Sequence, residues 1–157
     1  MNIKNIFYNM CIICLFSGCS YINNLFEYRV PLEKVHILVD KHVNDTRAVA
    51  VDLVVVCDEE LDKELKTMSA SEYFEKKDDL LMSDSDKILV WHWEVVPGQK
   101  LKNLPIDFNE FDPISGYVFA YYRNGQLNRV KVPDVSEIKI ILGREKVRVV
   151  KVATKDD

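Results

Sequence analysis

Cysteine, glycine, proline and histidine are all scarce: four, five, five and three in 157 residues. That scarcity argues against a disulfide-stapled scaffold and a Cys/His zinc cluster. No serine sits in a G-x-S-x-G elbow, which removes the common nucleophile arrangement of α/β hydrolases. Asp84-x-Asp86 has the opening of a calcium loop but lacks the central glycine and distal glutamate, so it reads as a solvated turn. No metal, cofactor or catalytic residue is implied. Lysine plus arginine number 21 against 25 acids, for a formal charge of −4. No basic block stands out, so nucleic acid is not an expected partner. No apolar run reaches the roughly 20 residues that span a bilayer.

What is present begins at the N-terminus. Lys4 is the only charge in the first eighteen residues, and an apolar run from Ile6 to Phe16 follows. A charged start, a short apolar core and a small-residue site form a secretory signal peptide. Its end, L-F-S-G-C, resembles the lipobox of bacterial lipoproteins. The resemblance implies cleavage before Cys19, acylation of Cys19 and removal of residues 1–18. Several acyl chains anchor stably where one does not. Ser20 rather than Asp after that cysteine resembles an outer-membrane address. Cleavage also removes Cys11 and Cys14 and their redox-like spacing. Cys57 is left inside a Val-rich run, where a buried inert thiol is expected.

Residues 19–31 read as the lipid anchor and tether, and residues 32–157 as one domain. Val35–Val39 alternates as a first strand, and the polar run K-H-V-N-D-T-R follows at 41–47. Residues 48–57 are rich in β-branched residues. Val49, Val51, Leu53, Val55 and Cys57 fall on one face, with Val54 and Val56 on the other. The period then changes. Leu61, Leu65 and Met68 recur at helical spacing, acids at 58–60 suit a helix start, and Ser69-x-x-Glu72 is a capping box. This predicts a helical insertion over 58–81.

Strands resume with Leu89, Trp91, Trp93 and Val95 on one face. Pro97-Gly98 turns the chain, and Pro105 interrupts a further strand. Asn124-Gly125 between strand patterns predicts a tight hairpin, and residues 135–142 and 147–152 predict another. The predicted fold is mainly β: a β-sandwich of seven to eight strands with a helical insertion. The two tryptophans are expected in its core, with a sugar-stacking platform through Trp91 and Trp93 as the functional alternative.

The run V-N-D-T-R-A-V-A-V-D-L-V-V-V, the helical S-A-S-E-Y-F with Phe74, and the strand ending V-V-P-G-Q together resemble the TssJ family. These are the small outer-membrane lipoproteins of type VI secretion systems. The resemblance implies a transthyretin-like sandwich without enzymatic activity. It implies outer-membrane lipid held through Cys19 and, as partner, the periplasmic part of the large inner-membrane secretion component. It also implies that the loop between the first two strands, with Asn44, Asp45, Thr46 and Arg47, meets that partner. An envelope lipoprotein of another class, such as a pilotin-like assembly factor or a lysozyme inhibitor, is the other reading.

Overall fold

A computed structural model describes residues 30–125 and 127–152. The signal peptide, Cys19 and most of the tether lie outside the described residues. Eight strands form two four-stranded sheets: β1 (Lys34–Val39), β2 (Val49–Val56), β3 (Ile88–Val95), β4 (Lys100–Pro105), β5 (Ser115–Ala120), β6 (Arg129–Lys131), β7 (Glu137–Leu142) and β8 (Val147–Lys151). Their orders are β4-β1-β7-β8 and β3-β2-β5-β6. All pairs are antiparallel except β1 with β7. The chain crosses between the sheets after β1, so the loop at 40–48 lies at one end of the sandwich.

Alternation builds the interior. Val35, Ile37 and Val39 of β1 meet Val49, Val51 and Leu53 of β2, with Ile138, Ile140 and Leu142 of β7. The other face of β2 is apolar too, because it is covered. Val54 and Val56 pack with Tyr117 and Phe119 beneath helices α1 (Glu59–Leu65) and α2 (Ala70–Ser83). This explains the continuous Val run: β2 is central in its sheet and buried on both sides. Leu61, Leu65 and Met68, read at helical spacing, are buried in this second cluster.

Both helices start where capping chemistry places them. The Asp58 carboxylate accepts from the Glu60 and Leu61 amides at 3.0 and 2.9 Å. Ser69 and Glu72 form the reciprocal capping box. Pro97-Gly98 makes its turn with Gly98 at φ 78°, a left-handed value that glycine adopts without a steric penalty. Pro105 ends β4 on a sheet edge, where no ladder bond is lost.

Three expectations are corrected. Cys57 is exposed rather than buried, because β2 ends at Val56 and the alternation stops there. Its thiol is pushed up chiefly by partial burial, with Asp58, Asp86 and Asp112 adding to the effect. Asn124-Gly125 does not close a two-residue hairpin. β5 and β6 pair as expected, but the chain between Ala120 and Arg129 forms a longer loop. Its backbone groups are taken by other elements: Leu127 O accepts from the Ala70 amide, and the Arg123 amide donates to Asn44. Trp91 and Trp93 share the predicted face but are only half-buried, because β3 is an edge strand whose flank stays open.

Candidate functional site

Three connections meet at one end of the sandwich: residues 40–48, 121–128 and 143–146. They frame an open polar cavity of about 480 Å³ lined by Asn44, Asp45, Tyr122, Arg123, Asn124, Arg144 and Glu145. The first connection contains a short 3-10 turn, Val43–Thr46, anchored by the fully buried Val43. Asn44, Asp45 and Thr46 have φ of 46°, 54° and 62°. Such left-handed values are uncommon outside glycine and least suited to β-branched threonine. Asparagine and aspartate tolerate such values, so it is at Thr46 that the turn is held by its surroundings rather than by intrinsic preference.

Asn44 supplies much of that hold. It is buried, its side-chain amide donates to Ala48 O at 3.1 Å, and its Oδ1 accepts from the Arg123 amide at 2.9 Å. Its own amide donates to Arg144 O at 3.0 Å. One residue thus ties all three connections together. Tyr122 OH donates to Gly143 O at 3.0 Å, and burial pushes the phenol pKa up, with Asp40 a smaller cause. Asn128 accepts from the Val147 amide and donates to Asn124, which donates to Glu145 O.

The four residues expected to meet a partner therefore divide. Asn44 faces inward as a brace. Asp45, Thr46 and Arg47 are exposed, with Asp45 on the cavity wall. Arg123 and Arg144 join Asp45 there, and sequence reasoning missed both. They lie 79 and 100 positions from Asn44 along the chain, so folding alone brings them together, and no local motif marks them.

A second polar cluster was also missed. Asp52 is fully buried on the helix-covered face of β2. Its Oδ2 accepts from Tyr73 OH at 2.9 Å and from Lys77 Nζ at 2.7 Å, and its Oδ1 is bonded to His92 Nδ1. Burial, followed by the neighbouring Asp52 charge, pushes the Tyr73 phenol far above its usual value. Tyr73 also stacks on Phe119, with centroids 4.2 Å apart. The sequence signal was a lone aspartate inside a Val-rich strand. The arrangement fastens α2 to the sheet: a buried carboxylate satisfied from three directions.

The tryptophans do not stand free. Trp91 and Trp93 pack against the inter-sheet core, and Trp91 meets Phe108 edge to face at 5.7 Å. Among the described residues no cluster of three or more His, Cys, Asp or Glu side chains is arranged to hold a metal. No helix there is long and apolar enough to cross a membrane.

No protein-family pattern and no curated protein sequence matches the chain. Solved structures do. Serratia marcescens Lip, a membrane-bound component of the type VI secretion system, superposes with a TM-score of 0.55 at 17% identity, covering 78% of this chain and 99% of Lip. The type VI lipoprotein TssJ1 from Pseudomonas aeruginosa gives 0.59 at 15% identity, with 82% and 99% covered. A chain of a type VI membrane complex gives 0.56 at 12%, with 76% and 99% covered. The β-sandwich with its helical insertion is thus the fold of TssJ-type lipoproteins, matched over almost the whole of each of those chains.

Proposed function

We propose that the chain is an outer-membrane lipoprotein that anchors a type VI secretion membrane complex. In this reading Cys19 carries the lipid, residues 20–31 are the tether, and the sandwich displays its loop end to the periplasmic part of the large inner-membrane component. The observation that carries the proposal is the near-complete coverage of three type VI proteins by this fold. The loop cluster supports it locally. A rigid sandwich presents connections as binding sites, and Asp45, Arg123 and Arg144 offer charges of both signs around one polar depression. Such groups suit a polar protein surface, where charge pattern fixes register and partner choice. No catalytic step is assigned to them.

The test is a pull-down of the periplasmic domain of the candidate inner-membrane partner. Asp45→Ala/Arg47→Ala is expected to weaken capture by about 1–3 kcal/mol if these side chains are binding hot spots. Equal capture by wild type and variant removes the loop from the proposal. No capture by either removes this partner.

A further inference from the structure

The two outer faces of the sandwich differ in cover and in charge. Both helices pack on the β3-β2-β5-β6 sheet. Residues 58–86, which include them, hold eleven acids against four lysines. The outer face of the β4-β1-β7-β8 sheet carries neither helix. Register places Lys34 of β1, Lys139 of β7 and Arg148 of β8 on it, opposite the core residues Val35, Ile138 and Val147. Lys100 and Lys102 of the edge strand β4 complete five cations.

Two carboxylates border them: Asp40, beside Leu38 and Arg148 at one end of the sheet, accepts from the His42 amide at 2.7 Å, and Glu137 is engaged as well. His36 Nδ1 accepts from the Asn103 amide at 3.3 Å, so the ring proton sits on Nε2 and is donated to Glu137 at 2.5 Å. No carboxylate of the described residues forms an ion pair with any of the five cations. Between them lie Leu38 and Val150, both exposed, and the half-buried Ile141. An open trough of about 390 Å³ runs past His36, Leu38, Lys100, Lys102 and Lys139.

We infer that this sheet face docks on a membrane surface of anionic phospholipid headgroups. Lysine stems lie along apolar surface while their ammonium groups reach polar surroundings, and here they ring an aliphatic floor. Ammonium is a mobile point charge suited to phosphate. The four strands of this sheet contain no Trp, Tyr or Phe, the anchors on which tight protein interfaces usually depend. That absence favours a diffuse charged plane over a protein partner. The acidic helical side is repelled by the same plane, so the charge separation also orients the domain. The inference rests on the anchored reading only for delivery: a tether of about 40 Å at most keeps the face near the bilayer.

The experiment uses the mature chain from residue 19 with Cys19→Ser, so that acyl chains do not contribute. It is sedimented with phosphatidylcholine vesicles with and without phosphatidylglycerol. Binding is expected only to the anionic vesicles and is expected to fall as salt rises from low ionic strength to about 0.15 M. Lys100→Glu/Lys139→Glu is expected to weaken it at least about tenfold, with an unchanged melting curve. Glu75→Lys/Asp78→Lys on the helical side is not expected to weaken it. Equal binding to neutral vesicles, equal binding by the lysine variant, absence of binding, or binding of polyglutamate in preference to vesicles each overturns the inference. Failure of acylation at Cys19 is read separately, by palmitate labelling of the full chain, and leaves this result standing.

Discussion

Asn44 illustrates how a single side chain can be misread from its neighbours. Asparagine in a polar loop is ordinary turn chemistry, and the left-handed backbone at Asn44 agrees with that. Its distant bonds do not show in the sequence, because Arg123 lies 79 positions away. Asn44 therefore belongs to the scaffold of the loop cluster and not only to its surface. Asn44→Ala removes two side-chain bonds and leaves the Arg123 amide without its acceptor. A loss of about 1–3 kcal/mol is expected, measured by urea denaturation. Asp45→Ala, at an exposed site, is expected to stay within about 0.5 kcal/mol of wild type. A neutral Asn44→Ala would show that the three connections hold together without it. Cys57 carries a related lesson: side-chain parity predicts burial only while the strand lasts.

Among the elements, the helical insertion was the most legible. Its caps, Asp58 and Ser69 with Glu72, are local in sequence, and local chemistry survives folding unchanged. Backbone hydrogen bonds hold both acids below the usual carboxylate range, chiefly from Leu61 to Asp58 and from Ser69 to Glu72. A carboxyl whose folded pKa is depressed adds stability above its unfolded pKa and loses it as pH falls through the folded value. The insertion is thus expected to loosen as pH drops from about 5 towards 3. In Asp58→Asn/Glu72→Gln the share of the acid loss due to these caps should vanish. Amide exchange of α1 and α2 with pH checks this, and identical acid profiles would rule the caps out as its source. The β5–β6 hairpin was less legible because Asn-Gly is a strong signal only when the flanking strands pair up to it. Here the Tyr121 amide donates to Ala50 O of β2, Leu127 O accepts from the Ala70 amide of α2, and the Arg123 amide donates to the Asn44 side chain. Asp52 was missed for the opposite reason. One acid in a Val-rich strand looks like an exception until α2 brings Tyr73 and Lys77 over it.

At the scale of the whole molecule, two cores and two outer faces divide the work. The inter-sheet core sets the sandwich, and the second core fixes the helices that cover one face. The cross-sheet pairing was not legible, because strand patterns do not say which strands meet. The parallel β1–β7 contact joins segments about a hundred residues apart. The loop cluster follows the C-terminal end of β1, whereas the described chain enters at Val30 ahead of its N-terminal end. Under the proposed function, anchoring and partner capture should be separable by mutation. Cys19→Ser should abolish palmitate labelling and release the protein from the membrane fraction. It should leave capture of the partner's periplasmic domain in solution unchanged, because the sandwich keeps both its cores. The Asp45→Ala/Arg47→Ala protein should behave in reverse, labelled and membrane-bound but weak in capture. In the cell both changes should impair secretion, since a tether raises local concentration only when both of its ends are engaged. Palmitate entering the Cys19→Ser chain would move the anchor elsewhere. Loss of solution capture in Cys19→Ser would mean that residues near the anchor belong to the partner surface too.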